Sequence, residues 1–243
     1  MAPPLPPIQR AALLLDLDGT LLDIAPAPDA VVVPPGLRDT LHALRPLLGD
    51  ALAVVTGRPV ETVEALLGDA PFAVAGEHGG AIRHAPGQPL ERPDLPAPPE
   101  AWLAAAGRVV AAHPGAVLER KVRGFALHFR AVPDAGPAMR DALDALLDGS
   151  ADFEVLSGQM IWEVRPRGVD KGKAVARLMA RAPFLGRLPV FIGDDVTDED
   201  GIAEAQAVGG AGLRVPESFG SAGGVRAWLA ATAAGRGWAA VNR

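Results

Sequence analysis

Ala11-Ala12-Leu13-Leu14-Leu15-Asp16-Leu17-Asp18-Gly19-Thr20 is a short apolar run that stops abruptly at two acids flanking one leucine. An unbroken apolar run of this length, bounded by polar residues, reads as a strand buried on both faces, as strands of parallel sheets are. Ala51–Val55, Pro71–Ala75 and Leu188–Ile192 repeat the form. Between the first two runs, residues 36–48 place Leu37, Leu41, Leu44, Leu47 and Leu48 at helical spacing. Between the next two, Pro59–Leu67 has proline in the first turn and Gly68 where a residue just past a helix end belongs. Alternating strand and helix predicts right-handed βαβ units and an α/β protein with a Rossmann-like parallel sheet. Ligands of such sheets bind beyond the carboxyl ends of the strands, so the polar residues that follow each strand are the candidates for chemistry.

The alternation breaks at Pro86–Pro99, where six prolines mark a linker. Beyond it, Glu100–Ala112 and Pro137–Leu147 read as helices, and Ala116–Val122, Gly124–Arg130, Asp152–Leu156 and Met160–Arg165 as period-2 strands. The expected organisation is a core made of residues 1–90 and 167–243, with an inserted α+β lid of αββαββ order at 91–166. In the lid strands Phe125, Leu127 and Phe129 share one face, with Trp162 and Val164 on the corresponding face of their own strand. Glu119, Lys121, His128, Arg130, Glu163 and Arg165 then fall on the other face. That face is either a solvated one laced with ion pairs or a surface for a polar ligand. Arg120 fits the apolar face poorly, which leaves the register of its strand open.

Bulk properties narrow the function. The chain has 243 residues, 49% hydrophobic and 21% charged, which suits a folded globular protein. A net charge of −6 with no basic run argues against nucleic-acid binding. Without cysteine there is no thiol nucleophile or thiolate metal site, so any metal rests on oxygen or imidazole. The beginning of the chain is proline-rich, with proline at positions 3, 4, 6 and 7, and the run Ala11–Leu15 is too short for a signal sequence or a membrane span. We therefore expect a cytoplasmic monomer without membrane or nucleic-acid partners.

Asp16 and Asp18 stand together at the carboxyl end of the first strand, with Gly19 able to take a positive φ. Two carboxylates so placed repel unless a hard divalent cation holds them. A calcium-binding EF-hand loop is excluded, because Ala27 stands where its closing glutamate belongs. Thr56-Gly57-Arg58 after the second strand offers a hydroxyl, a backbone N–H at a helix start and a guanidinium to an anion. Thr56 as a simple helix cap is the alternative. Lys171 opens the helix returning from the lid, where a lysine opposes the helix dipole unless an anion awaits it, and Lys173 is its rival. After the strand ending at Ile192, Asp194, Asp195, Asp198, Glu199 and Asp200 crowd into seven residues, which calls for a cation.

These four segments, Asp16-x-Asp18-x-Thr20, Thr56, Lys171 and Asp194-Asp195-x-x-Asp198, resemble in order the motifs of the haloacid dehalogenase-like phosphatases. The resemblance implies that Asp16 is a nucleophile forming a phospho-aspartate and Asp18 a general acid/base. Thr56 and Lys171 would hold phosphate, with Gly57 and Arg58 beside them. Magnesium would be held by Asp16, the Asp18 carbonyl and Asp194, supported by Asp198. A finer resemblance, to trehalose-6-phosphate phosphatases, rests on Gly76-Glu77-His78-Gly79, Leu118-Glu119-Arg120-Lys121, His128-Phe129-Arg130, Glu163-Val164-Arg165-Pro166, Lys171-Gly172 and the run Gly193–Asp200. Phe129 departs from the tyrosine usual in that family, and His78 reads as a turn histidine. This resemblance implies a phosphorylated disaccharide, trehalose 6-phosphate, as substrate. Glu119, Lys121, His128 and Glu163 would be its contacts, and Arg130 shares their face. The alternatives are a related lidded sugar phosphatase acting on sucrose phosphate or mannosylphosphoglycerate, and a phospho-aspartate signalling module. The signalling module would leave the lid and Asp18 without roles.

Overall fold

A computed structural model describes residues 4–25 and 30–238 of the chain. Met1–Pro3 of the proline-rich start, and Ala27, lie outside the described residues. The strands are β1 (Ala11–Leu15), β2 (Leu52–Val55), β3 (Ala73–Gly76), β4 (Ala81–Arg83), β5 (Val117–Arg120), β6 (Phe125–His128), β7 (Phe153–Gly158), β8 (Ile161–Pro166), β9 (Leu188–Gly193) and β10 (Ala211–Arg214). The helices are α1 (Leu37–Leu47), α2 (Val60–Leu67), α3 (Glu100–Ala111), α4 (Gly136–Leu146), α5 (Lys171–Met179), α6 (Glu199–Ala207), α7 (Val215–Ser218) and α8 (Ala222–Ala233). They form two compact units, Met1–Pro93 with Val169–Arg243, and Asp94–Gly168. Among the described residues no helix is long and apolar enough to cross a membrane.

The first unit holds a six-stranded sheet in the order β10-β9-β1-β2-β3-β4, parallel except for β4, which runs against β3. Every β1 side chain is fully buried, because both sheet faces are covered. Leu13, Leu15, Leu52 and Val54 pack with Leu41 and Leu44 of α1, Val63 of α2, and Val225 and Leu229 of α8. Leu14, Ala53 and Val55 pack on the opposite side with Val175 and Leu178 of α5 and Ile202 of α6. Double coverage is what turns a strand into a continuous apolar run instead of an alternating one. The register pairs Leu15 with both Val54 and Ile192, so the segments after β1, β2 and β9 emerge side by side. Two strands join those the sequence announces. β4 has only three residues, and β10 carries Gly212 within a four-residue run, so neither makes a distinct apolar signal.

The second unit is a four-stranded antiparallel sheet, β5-β6-β8-β7, with its helices interleaved in the order αββαββ. Phe125, Leu127, Phe129, Phe153 and Val164 pack with Leu103 and Ala106 of α3 and Met139 and Leu143 of α4. Arg120 does lie toward the helices. It sits on the edge strand β5, where its guanidinium meets Glu100 at 2.9 Å at the rim, with side-chain exposures of 61% and 73%. An edge strand lets a long side chain leave the apolar face without burying its charge.

This division of core and rim predicts unequal costs in chemical denaturation. Phe125→Ala should destabilise the protein by about 3–5 kcal/mol, whereas Arg120→Ala should change stability by less than about 1 kcal/mol. Equal losses would place Arg120 inside the packed layer.

Candidate active site

The site is assembled where β1, β2 and β9 end. Asp16 continues the sheet by one backbone bond, its N–H donating to the Ile192 carbonyl at 2.9 Å, and the residue is only 4% exposed. The chain then turns sharply: the N–H groups of Leu21 and Leu22 both reach the Leu17 carbonyl, and Gly19 donates to the Leu22 carbonyl at 2.7 Å. Leu17, Leu21 and Leu22 are fully buried and anchor this turn. Gly19 has φ +81°, and a Cβ there would sit 2.0 Å from Asp194 Oδ2. Glycine therefore serves both the turn and the close approach of a carboxylate from another segment. The buried Thr20 hydroxyl donates to Asp194 Oδ1 at 3.4 Å.

Lys171 Nζ lies 2.6 Å from Asp16 Oδ1 and 2.6 Å from Asp198 Oδ1. Asp170 caps α5 by accepting from the Lys173 N–H at 2.7 Å, which fixes the helix start and turns Lys171 inward. Lys173 stays mostly exposed and pairs with Asp170, so of the two lysines it is Lys171 that lies among the acids. Asp198 is held at both oxygens: Oδ2 accepts the backbone N–H groups of Asp194 and Asp195, both at 3.0 Å. Asp195 in turn caps the turn that carries Asp198.

Asp16, Asp194 and Asp198 bring carboxylate oxygens within 4.8 Å of one another. Burial is the largest influence on Asp16 and, with Asp198 beside it, pushes its carboxyl well above the usual range, against the pull of Lys171. Asp194 is pushed up to about 6 by burial, then by Asp198 and Asp195. Burial alone would lower Lys171, but Asp16 and Asp198 outweigh it and hold the ammonium charged. Three carboxyl groups crowd around one ammonium, and a divalent cation with a preference for oxygen suits such a site. The donor set therefore suits a hard metal ion, with Asp16 and Asp194 the oxygens in want of one.

After β2, the Thr56 hydroxyl accepts the Arg58 N–H at 3.2 Å. The sequence points Arg58 at an external anion; here its guanidinium forks onto Asp18, Nε to Oδ2 at 2.6 Å and Nη2 to Oδ1 at 2.8 Å. This pairing joins residues 40 apart across neighbouring strand ends, and no local pattern announces it. The sequence reading also missed the bond from Thr20 to Asp194.

In the second unit the polar residues gather on one sheet face. Lys121 pairs with Glu163 at 2.6 Å, and His128 with Glu119 at 2.7 Å, a contact that pulls the Glu119 carboxyl below its usual range. Arg165 is taken up by its cross-strand neighbour Glu154 at 2.9 Å. Arg130 lies just beyond β6 and is exposed. These are the ion pairs that a solvated sheet face would carry.

A family model described as trehalose-phosphatase matches residues 14–218. The trehalose-6-phosphate phosphatase of Escherichia coli (strain K12) is 37% identical over 208 residues, covering 85% of this chain and 77% of that one. Among solved structures, the C-terminal domain of C. albicans trehalose-6-phosphate phosphatase superposes with a TM-score of 0.74 at 23% identity, covering 93% of each chain. A haloacid dehalogenase-like hydrolase from Bacteroides thetaiotaomicron does so with a TM-score of 0.60 at 14% identity, covering 90% of this chain and 98% of that one. At such identities the two structures speak for the fold.

The crowded acids predict a pH signature in metal-free protein. Asp194 at about 6 stands above its ordinary 3.8, so the folded state holds that proton more tightly than the unfolded one. Its stabilising contribution is complete below 3.8 and is lost as pH rises to about 6. In EDTA, the melting temperature of the wild type should fall relative to Asp194→Asn across that window. A difference that stays flat with pH would refute the assignment.

Proposed function

This chain belongs to the trehalose-phosphatase family, and from that premise we propose that it hydrolyses trehalose 6-phosphate to trehalose and inorganic phosphate through a phospho-aspartate on Asp16. The observation that carries this reading is the buried Asp16–Lys171–Asp198 chain at the mouth of the parallel sheet. It holds a carboxylate rigidly at the position where ligands of such sheets bind.

In the proposed first step an Asp16 oxygen attacks phosphorus in line with the sugar oxygen. The bond between phosphorus and that oxygen breaks, and Asp18 supplies the proton that the departing sugar takes up. In the second step a water oxygen attacks the same phosphorus, its proton passes to Asp18, and the bond to Asp16 breaks. Asp18 thus ends protonated, ready for the next substrate. Lys171 fixes Asp16 and adds positive charge, while the Thr56 hydroxyl and the Gly57 N–H hold phosphate oxygens. Asp16, Asp194 and the Asp18 carbonyl would hold Mg²⁺, which when bound supplies the charge that lets a carboxylate approach a phosphate dianion. Asp198, already occupied by Lys171 and two backbone N–H groups, acts by positioning Lys171 and the Asp194-Asp195 backbone. We assign residues 94–168 as the cap that selects the substrate, with Glu119, Lys121, His128, Arg130 and Glu163 directed to the disaccharide.

Phosphate release from trehalose 6-phosphate, sucrose 6-phosphate, glucose 6-phosphate and mannosylphosphoglycerate tests this, each with Mg²⁺ and with EDTA. The expected result is metal-dependent release selective for trehalose 6-phosphate, and a loss of at least about 10³-fold in kcat for Asp16→Asn. Release from another sugar phosphate instead would overturn the assignment of the cap. Undiminished turnover by Asp16→Asn would overturn the nucleophile.

A further inference from the structure

Between β3 and β4 the chain passes through Glu77-His78-Gly79, and both Glu77 and His78 take positive φ, 54° and 56°. Side chains seldom adopt that region, and two in succession persist only where the surroundings enforce them. The surroundings here are the Thr56-Gly57-Arg58 segment. The His78 N–H donates to the Thr56 carbonyl at 2.9 Å, the Glu77 N–H to the Arg58 carbonyl at 3.0 Å, and the Thr56 N–H to the Ala75 carbonyl at 2.8 Å. On the other side, Arg92 holds Glu77 Oε1 at 2.6 Å. The imidazole of His78 is buried against Gly57: a Cβ at position 57 would lie 2.5 Å from its Nε2 and 2.7 Å from its Cε1.

These contacts set a direction. In a planar trans peptide the C=O and the following N–H point to opposite sides. A Thr56 carbonyl drawn onto the His78 N–H therefore turns the Gly57 N–H away from the Glu77-His78 turn. The Thr56 hydroxyl, already accepting from Arg58, keeps its proton to donate elsewhere. Only glycine leaves room at 57 for the ring, which lies where a Cβ of residue 57 would stand.

We infer that His78 is a positioning residue for phosphate binding, its backbone and its ring together fixing the Thr56-Gly57 peptide so that the Gly57 N–H faces the phosphate. This rests on the reading of Thr56-Gly57-Arg58 as a phosphate holder. His78 acts through Gly57 and touches no substrate.

The test uses His78→Gly, which accepts the same φ without the ring, Gly57→Ala, and the double variant. KM and kcat for trehalose 6-phosphate are measured in each, with Ki for inorganic phosphate. His78→Gly should raise KM and Ki together by roughly three- to tenfold with kcat little changed, and Gly57→Ala should raise them about tenfold or more, as a methyl forced into packed space does. In the double variant the missing ring makes room for the methyl, so its Ki should fall below that of Gly57→Ala alone. A double variant as poor as the product of the singles overturns the inference and leaves the phosphate reading intact. So does His78→Gly that lowers kcat with KM and Ki unmoved, since a merely structural turn would behave that way. A Ki for phosphate untouched by Gly57→Ala would overturn the phosphate reading itself, and the role of His78 with it.

Discussion

Lys171 reaches two carboxylates from segments 155 and 27 residues away, and all three groups are almost wholly withdrawn from water. Buried ions are costly to bring in and still more costly to leave alone: removing one partner of such a pair typically costs about 3–5 kcal/mol. The ammonium is held there by Asp16 and Asp198 together, and each must be in place for it. That condition reaches back through the structure. Asp16 is in place because β1 lies between β2 and β9, Asp198 because two backbone N–H groups hold its second oxygen, and Lys171 because Asp170 starts α5. The parallel sheet can be regarded as the frame that makes this one contact possible.

The same contact crowds carboxyl groups around one ammonium. One ammonium answers two carboxylates, and Asp194 arrives as a third, closed over Gly19 at a distance that no other residue in that turn would allow. A protein maximising only its own stability would not gather these acids in a half-buried site. The displacement of Asp194 toward neutrality records that cost, and it is the kind of perturbation that marks functional sites.

Most of the frame was legible in the sequence, because burial on both faces writes itself as continuous apolar runs such as Leu13–Leu15 and Val190–Ile192. β4 and β10 were not, since short edge strands leave too few residues for a period to show. The acids and Lys171 were legible because each follows a strand or opens a helix, a position readable without knowing its partners. What stayed hidden depends on pairing across strand ends: the fork of Arg58 onto Asp18, the bond from Thr20 to Asp194, and the ring of His78 against Gly57. Arg120 was ambiguous for a related reason, because its place was settled by the edge position of β5 and not by its alternation.

The Arg58–Asp18 fork bears on the order of events in the proposed reaction. Both Asp18 oxygens are engaged by one guanidinium, at 2.6 and 2.8 Å, so in this arrangement neither is available to pass a proton to a sugar oxygen. Acid catalysis at Asp18 therefore requires the fork to open. A phosphate dianion beside Thr56 offers Arg58 the same two-oxygen geometry as the carboxylate it would leave. On the proposed mechanism, arrival of the ester and liberation of Asp18 would be coupled through a single side chain. The hydrogen-bonded turn at Glu77-His78 keeps the Thr56 and Arg58 carbonyls fixed while that guanidinium exchanges partners. On the proposed reading, the peptide held by the Glu77-His78 turn would bind phosphate while the neighbouring Arg58 guanidinium, in changing partners, would release the acid.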